Sequence, residues 1–337
     1  MKYLVSEKCR VNGKTAGNKA REDVEYILKK KGYKQIVLYN SGDKKLIVIL
    51  KLILCGTKLM LVSKENDIVV FEHPYIPAEY SSALAFLSKL VSKLKKVKTV
   101  LIIHDLNSIR LGNLTISKEI KQINSYDAVI CHNDLMKSFL QQNGCTKKLI
   151  NLWLFDYIVK GEKETIQKAD YDIVIAGNLS IEKSGYIYSL KKVSSLKFAL
   201  YGIGVMEEKL GGNISYMGSF SPDILPLKIE GRWGLVWDGD SIDSCIGDNG
   251  EYLKINNPHK LSLYLSSGIP VIVWNKSAIA FIVNHYQLGI SVSSIKEAEH
   301  IIKHISEEKY QEICDNIQIF KERIVSGYYL TKAFDSI

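Results

Sequence analysis

The chain has 337 residues, of which 46% are hydrophobic and 24% charged. This composition is typical of a soluble globular protein and excludes disordered, collagen-like and low-complexity chains, and the length suggests two domains. The net charge of +9 permits an anionic partner such as a nucleotide phosphate or a lipid. A nucleic acid is not expected, because the lysines are dispersed and no aromatic–basic motif accompanies them.

The six cysteines are scattered and form no C-x-x-C pair, which predicts neither a zinc site nor a disulfide framework. The opening segment MKYLVSEKCR becomes charged after five residues. The most apolar window, 46–62, contains Lys51 and Lys58. We therefore predict neither a signal peptide nor a membrane-spanning helix, and we expect a cytoplasmic protein with free thiols.

Short apolar runs alternate with amphipathic stretches along the chain. The predicted strands are Gln35–Tyr39, Lys58–Val62, Ile68–Glu72, Thr99–His104 and Ala128–Cys131, followed by Tyr171–Ala176, Lys197–Tyr201, Trp233–Trp237 and Pro270–Trp274. Helices are predicted at Lys19–Lys31 and Lys260–Ser267. Several strands are continuous apolar runs, which indicates parallel sheets covered by helices on both faces.

The two series of strands are separated by the polar segment Asp156–Asp170, which is typical of an interdomain linker. We therefore predict an α/β protein with two Rossmann-like, doubly wound domains facing each other across a cleft. The first domain is assigned to residues 1–158 and the second to 168–315, with a C-terminal helix over about 316–337 that packs back on the first.

The segment NGKTAGNKAR leads into the first predicted helix. Gly17 permits a close approach of the backbone, and Thr15, Lys19 and Arg21 offer groups for a phosphate or a sugar hydroxyl. The segment lacks the P-loop pattern. The alternative is an ordinary glycine turn ahead of a basic helix.

The segment IHDLNSIR follows a strongly apolar strand. His104 and Asp105 are the residue types of a general base and its orienting carboxylate, and Arg110 offers a partner for a negative group. The alternative is that Asp105 only caps the next helix. Glu72 and His73, at the end of another strand, carry a second candidate acid or base.

The second domain opens with the strand–glycine segment AGNL, and the segment YGIG repeats this arrangement one strand later. A glycine between a strand and a helix directs backbone amides and the positive helix end toward an anion. Plain glycine turns are the alternative. The candidate anion-binding residues are Gly177, Asn178, Lys183, Ser184, Tyr201 and Gly202.

The block GLVWDGDS…NNPHKLSLYLSSGIPV is the longest motif. Pro258 is expected at the first helical position after an Asn257 N-cap. Lys260 then lies in the first turn, where the helix dipole is positive, so a bound anion would offset the unfavourable charge. Asp238 begins a D-x-D triplet that is typical of some metal sites, but a plain loop is favoured. The candidate ligand-binding residues here are Asp238, Asn257, Lys260 and Tyr264.

With these motifs the chain resembles bacterial accessory glucosyltransferases of serine-rich-repeat adhesin glycosylation and the related β-1,6-galactofuranosyltransferase-like group. The resemblance rests on GNKAR, HDLNSIR, AGNL and above all the GLVWDGDS…GIPVIVW block, and so spans nearly the whole chain. It implies a GT-B fold, a UDP-sugar donor, no metal ion, no other cofactor and a homotetramer.

Carried over by motif, the resemblance implies that Asn257 and Lys260 contact the UDP ribose or phosphates, with Thr15 opposite them across the cleft. The AGNL loop and the following Lys183 would hold the diphosphate. Lys183 stands where relatives are expected to have an arginine, and Glu72-His73-Pro74 stands where they have Gln-Tyr-Pro. These two departures bear on phosphate contact and acceptor recognition, respectively.

The leading hypothesis is a transferase that moves glucose from UDP-glucose to N-acetylglucosamine on Ser or Thr of a serine-rich adhesin, with Asp105 or His104 as base. One alternative is galactofuranosyl or glucosyl transfer to a lipid-linked polysaccharide precursor. In that case the basic stretch Lys89–Lys98 would make a peripheral membrane contact, although a solvated helix face explains it as well. A further alternative is a catalytically silent subunit that binds a nucleotide sugar.

Overall fold

The computed structural model describes residues 1–9, 16–40, 45–75, 80–112, 114–161 and 170–337. The chain divides into two compact units, each with one six-stranded parallel sheet. The first unit comprises Met1–Gly13, Ala20–Trp153 and Leu330–Ile337, and the second comprises Lys14–Lys19 and Leu154–Tyr329.

The first sheet has the strand order β2-β1-β3-β4-β5-β6, and every neighbouring pair is parallel. Its strands are β1 (Lys2–Cys9), β2 (Lys34–Asn40), β3 (Ile68–His73), β4 (Lys98–Ile103), β5 (Ala128–Cys131) and β6 (Lys148–Asn151). The helices along it are α1 (Ala16–Lys30), α2 (Lys45–Val62), α3 (Ser81–Lys95), α4 (Asn107–Arg110), α5 (Ile116–Ile123) and α6 (Asp134–Gln142). The apolar run of β4 is buried from Thr99 to Ile103, as continuous apolar strands predict.

The second sheet has the order β12-β11-β10-β7-β8-β9 and is also parallel. Its strands are β7 (Ile173–Asn178), β8 (Phe198–Ile203), β9 (Ile214–Tyr216), β10 (Trp233–Val236), β11 (Val271–Trp274) and β12 (Gly289–Val292). The helices are α7 (Ile181–Ser184), α8 (Leu225–Lys228), α9 (Gly247–Leu253), α10 (His259–Ser266), α11 (Ala280–His285), α12 (Ile295–His304) and α13 (Glu307–Ser326), with 3₁₀ turns at Gly185–Lys192 and Glu207–Lys209. The last helix, α14 (Tyr328–Asp335), begins in the second unit and belongs to the first from Leu330 onward.

Numbered within its own unit, the second sheet has the strand order 3-2-1-4-5-6, which is that of dinucleotide-binding folds. The direction of winding reverses between β7 and β10. Open α/β sheets bind their ligands outside the carboxyl ends of the strands at such a reversal. The fold therefore directs attention to the ends of these two strands.

The side chain of Tyr264, on α10, connects β7 and β10. Its hydroxyl accepts a hydrogen bond from the Ala176 amide at 2.9 Å and donates one to the Leu235 carbonyl at 3.3 Å. A Cβ atom at Gly234 would lie 2.3 Å from the ring, so glycine is needed for this packing. Tyr264 is completely buried. It therefore fixes the two strands, and its buried side chain is not accessible to a ligand, contrary to its assignment from the sequence.

The predicted strand Lys58–Val62 is wrong, because these residues form the end of helix α2. A short apolar run does not distinguish a strand from a buried helix segment. Among the described residues, the strands that the sequence did not reveal are β1, β6, β9 and β12. Three of them are short edge strands, and β1 carries Glu7 and Lys8 beside its apolar residues.

The last residues of the chain return to the first unit. The Phe334 ring lies 5.6 Å from that of Tyr33, and Lys98 Nζ donates a hydrogen bond to the Ile337 carbonyl at 2.6 Å. Residues 162–169 of the predicted linker lie outside the described part of the chain. In the described part, no helix has both the length and the apolar character that a membrane crossing requires.

Candidate functional site

Two glycine loops meet at the carboxyl edge of the second sheet. Gly177 and Gly202 are paired across β7 and β8, with φ values of +132° and +153°. A Cβ atom at Gly202 would lie 1.8 Å from the Gly177 carbonyl oxygen, so no larger residue fits there. The structure thus brings together the two loops that the sequence predicted to bind an anion.

Lys260 of α10 reaches the same edge. Its Nζ donates hydrogen bonds to Asp238 Oδ1 at 2.8 Å and to the Trp237 carbonyl at 3.2 Å. The two charged side chains are only 13% and 11% exposed. A Cβ atom at Gly177 would be 3.3 Å from Lys260 Cε, which places the ammonium group beside the first glycine loop.

The N-cap of the helix that carries Lys260 lies one residue later than the predicted Asn257. Pro258 is the N-cap, and α10 starts at His259. The expectation that only a bound anion offsets the charge of Lys260 is also wrong, because the Asp238 carboxylate already does so. The ion pair therefore holds the Lys260 ammonium group in position at the N-terminal end of the helix.

The other residues predicted for this site differ in their surroundings. Asn178 is exposed, and its Oδ1 accepts a hydrogen bond from the Ser180 amide at 2.9 Å. Ser184 is buried and donates to the Asn178 carbonyl at 2.8 Å, so it shapes the loop. Lys183 is half-buried and Asn257 is buried.

Tyr201 lies outside the ligand-binding surface. Its side chain is buried, and its hydroxyl accepts a hydrogen bond from the Glu230 amide at 3.2 Å. Like that of Tyr264, its side chain therefore stabilises the sheet.

The two aspartates of the D-x-D triplet lie against different parts of the second unit. Asp238 pairs with Lys260, whereas a Cβ atom at Gly185 would meet Asp240 Oδ1 at 2.7 Å, so Asp240 lies against the 3₁₀ turn. In the described ranges no three His, Cys, Asp or Glu side chains converge on a point where they could hold a metal ion.

The opening segment contributes less than predicted. Thr15 lies outside the described residues, and Gly17 is in the first turn of α1. The Lys19 ammonium is buried and donates to the Ile158 carbonyl at 2.6 Å and to Asp223 Oδ1 at 2.8 Å. Arg21 is also buried. The expected contacts of Lys19 and Arg21 with a ligand are therefore wrong.

Arg21 instead joins a buried charged cluster at the carboxyl edge of the first sheet. Its Nη1 atom lies 3.9 Å from Glu7 Oε1 and 3.9 Å from Glu72 Oε2. Glu72 Oε1 is 2.8 Å from His104 Nε2. The strands β1, β3 and β4 position these groups, since each strand ends at this edge.

Burial determines the protonation of this cluster. It raises the pKa of Glu72 to about 7, although the Arg21 guanidinium acts to lower it. Burial, together with the charge of Arg21, lowers the pKa of His104 well below its ordinary value. Glu72, with a pKa of about 7, therefore changes its protonation near neutral pH, whereas His104 stays uncharged.

Asp105, next to this pair, is the more accessible group, with 26% of its side chain exposed. It forms an ion pair with Arg110. It does not cap α4, whose N-cap is Leu106, so the capping alternative is wrong. The sequence thus identified an accessible carboxylate beside a buried histidine.

Glu119 is a buried neighbour of this cluster that the sequence did not reveal. From α5 it accepts hydrogen bonds from the Asn107 and Ser108 amides at 2.9 and 3.0 Å, and it binds His73 Nε2 at 2.9 Å. It therefore caps the short helix after Asp105. The only signal was an acidic residue on the apolar face of an amphipathic helix, which the pattern alone does not assign.

Two family models match the chain. The model of the N-terminal domain of glucosyltransferase 3-like proteins matches residues 2–154, and that of the C-terminal domain matches residues 173–337. Together they cover nearly the whole chain. This confirms the resemblance that the motifs indicated.

Curated relatives align over almost their full lengths. The chain is 32% identical to the β-1,6-galactofuranosyltransferase WbbI of Escherichia coli (strain K12), covering 96% of this chain and 94% of the relative. It is 26% identical to glucosyltransferase 3 of Streptococcus gordonii, covering 98% and 97% respectively.

Solved structures show the same fold. A glycosyltransferase from Rickettsia africae ESF-5 matches with a TM-score of 0.59 at 15% identity, covering 99% of this chain and 97% of that one. A co-structure of S. aureus MnaA with UDP matches with a TM-score of 0.51 at 12% identity, covering 98% and 97%. The predicted GT-B fold, with two parallel α/β domains, is confirmed.

The buried Glu72 leads to a prediction about stability and pH. Its pKa is about 7 in the folded protein against 4.5 ordinarily, so its stabilising contribution is complete below about pH 4.5 and is lost as pH rises through about 7. We expect the melting temperature of Glu72→Gln to rise relative to wild type between about pH 5 and pH 8. The corresponding increase in the free energy of unfolding is at most about 3 kcal/mol.

Glu119→Gln is the control with the opposite sign. Burial alone would raise the pKa of Glu119, but hydrogen bonds from His73 and Ser108 lower it below 4.5. The loss of stability in this variant should therefore be largest at neutral pH and shrink as the medium becomes acidic. A pH-independent difference between Glu72→Gln and wild type would contradict the assignment of Glu72.

Proposed function

We propose that this chain, which belongs to the glucosyltransferase 3-like family, transfers a hexose from a UDP-sugar to a hydroxyl group of a glycan acceptor. The observation that carries the proposal is the position of Lys260. Its ammonium group lies at the winding reversal of the second sheet, beside a glycine loop and at a helix N-terminus. These three features all favour a diphosphate.

The donor is held by the second unit. The glycine loop at Gly177 and the Lys260 ammonium bind the diphosphate. Asn178, which follows Gly177, and Asn257, which directly precedes the N-cap of α10, are the polar candidates for the ribose or phosphate. Asp238 keeps the Lys260 ammonium in position through the ion pair. The relative solved with UDP has the same fold, which supports UDP as the nucleotide.

The reaction is a displacement at the anomeric carbon of the donor sugar. The acceptor hydroxyl forms the new C–O bond while the bond to UDP breaks. Asp105 takes the hydroxyl proton, and the His104–Glu72 pair beneath it holds the strand-end segment in position. Lys260 and the backbone amides stabilise the charge that develops on the departing UDP, so the proposal includes no metal ion and no further cofactor.

Two acceptors fit this chemistry. The first is N-acetylglucosamine on Ser or Thr of a serine-rich adhesin, with UDP-glucose as donor, which the similarity to glucosyltransferase 3 supports. The second is a surface-polysaccharide precursor that receives galactofuranose, which the greater identity to WbbI supports. A homotetramer in the cytoplasm completes the proposal, and the five described free cysteines suit a reducing compartment.

The function is tested with a panel of UDP-sugars. The purified protein is incubated with each UDP-hexose, with and without N-acetylglucosaminyl peptide or lipid-linked acceptor, and the release of UDP is measured. We expect slow hydrolysis of one donor without acceptor and faster release with the correct acceptor. Binding of a donor that stays intact under all conditions would show a catalytically silent subunit.

The same assay tests metal independence. Adding EDTA should leave the rate unchanged, because in this proposal the Lys260 ammonium group, and not a divalent ion, supplies the positive charge at the diphosphate. Loss of activity with EDTA and its recovery with Mn²⁺ would instead make Asp238 and Asp240 metal ligands.

Lys260→Ala should weaken UDP binding by about 10- to 100-fold, because one charge-assisted contact is lost and Asp238 is left to repel the phosphates. Calorimetric titration with UDP measures the effect. Lys254→Ala is the matched control, since Lys254 is a half-exposed lysine that pairs with Glu251. Asp238→Asn should bind UDP at least as tightly as wild type. Unchanged affinity in Lys260→Ala would overturn the donor site.

Asp105→Asn should lower kcat by about 10²- to 10⁴-fold at saturating donor and leave the affinity for UDP unchanged, because the lost group is the proton acceptor. Initial rates and UDP titrations on wild type and the variant provide both numbers. His104→Gln is the comparison. If that variant loses turnover while Asp105→Asn keeps it, and the rate of wild type rises with pH through about 7 as Glu72 ionises, the buried pair is the base.

A further inference from the structure

Helices α2 and α3 of the first unit expose eleven large apolar side chains. Leu46, Leu61 and Phe86 are 81%, 79% and 69% exposed. The full set is Leu46, Ile47, Ile49, Leu50, Ile53, Leu54, Leu61 and Val62 on α2, and Phe86, Leu90 and Leu94 on α3. A contiguous apolar surface of this kind marks an interaction site. It is called the α2–α3 face below.

The α2–α3 face is one continuous surface. α2 buries a separate stripe, Val48, Leu52 and Leu59, against the unit, so its outer apolar residues are additional to those that the fold requires. A Cβ atom at Gly56 would lie 2.5 Å from Leu87 Cδ1, so glycine lets α2 and α3 pack closely side by side. Their outer stripes are therefore adjacent.

The charges on this face all have one sign. Helices α2 and α3 carry six lysines and no acidic residue. Lys58, Lys89 and Lys93 are exposed. Apolar side chains mixed with lysines complement a surface that is apolar inside and anionic at its boundary.

The place of the face in the fold is also defined. α2 follows β2, and α3 follows β3, so both helices begin at the carboxyl edge of the first sheet. Glu72 and His104 lie at that same edge. A surface bound by the α2–α3 face would therefore come close to the candidate acceptor groups of this unit.

We propose that the α2–α3 face binds an anionic membrane surface, with its apolar side chains inserted among the lipids and its lysines at the phosphates. A second copy of the chain fits less well. A two-fold interface would place lysine-bearing faces against each other without any acidic residue of these helices to pair with them. The proposal does not depend on the transferase activity.

The experiment is co-sedimentation of the full chain with vesicles of phosphatidylcholine alone and of phosphatidylcholine with phosphatidylglycerol. We expect binding to the anionic vesicles, weaker binding to the neutral ones, and weakening with added salt. Two variant sets probe the face. One is Ile53→Ser, Leu54→Ser and Phe86→Ser, and the other is Lys58→Glu, Lys89→Glu and Lys93→Glu.

The serine set should lower vesicle affinity at least about tenfold, because inserted apolar area is lost. The glutamate set should lower it by about fivefold or more per lysine. Matched controls carry the same changes at exposed positions of the second unit and should bind as wild type does. They are Phe281→Ser, Ile319→Ser and Ile224→Ser for the first set, and Lys191→Glu, Lys192→Glu and Lys296→Glu for the second.

Melting temperatures establish whether each set of variants folds. If the serine set does not fold, the glutamate set alone decides the test. Wild type that ignores anionic vesicles, or face variants that bind them as wild type does, would overturn the proposal. Sedimentation velocity separates the remaining outcome. If the face variants become smaller species and wild type binds no vesicles, the face is an interface between copies of the chain.

Discussion

The ion pair between Lys260 and Asp238 is the interaction on which the candidate donor site depends. Two nearly buried charges are tolerable only because they neutralise each other at 2.8 Å and because the Trp237 carbonyl accepts a further hydrogen bond. The pair forms only if β7, β10 and the start of α10 are held in one arrangement. Tyr264 holds them, through hydrogen bonds to both strands and a ring packed on Gly234.

The first unit also buries charged side chains, which pair in a different arrangement. Arg21 is shared between Glu7 and Glu72 at longer distances, so Glu72 is only partly compensated and its pKa rises to about 7. A buried carboxyl group whose pKa is raised by burial beside a specific charged partner marks a candidate functional site. The same cluster positions His104, and with it the loop that presents Asp105 to solvent.

Much of the site could be predicted because its elements are local in the chain. The loops at Gly177 and Gly202 follow apolar strands directly, and their positive φ values require glycine. Lys260 follows a proline that starts a helix, which the sequence also shows within one residue. The roles of Tyr201 and Tyr264 could not be predicted, because the sequence pattern of a motif does not distinguish a tyrosine ring at the surface from one in the core.

The sequence by itself determined the two α/β series, nearly all the interior strands and the family. Alternation of apolar runs with amphipathic helices, and glycines at strand ends, are properties of short segments. Only the tertiary structure decided which charges pair. Asp238 with Lys260 and Arg21 with Glu72 are 22 and 51 residues apart in the chain, and no local pattern specifies a contact over that separation. Tertiary packing likewise made α2 a helix where a short apolar run suggested a strand, because its buried stripe recurs with the helical period.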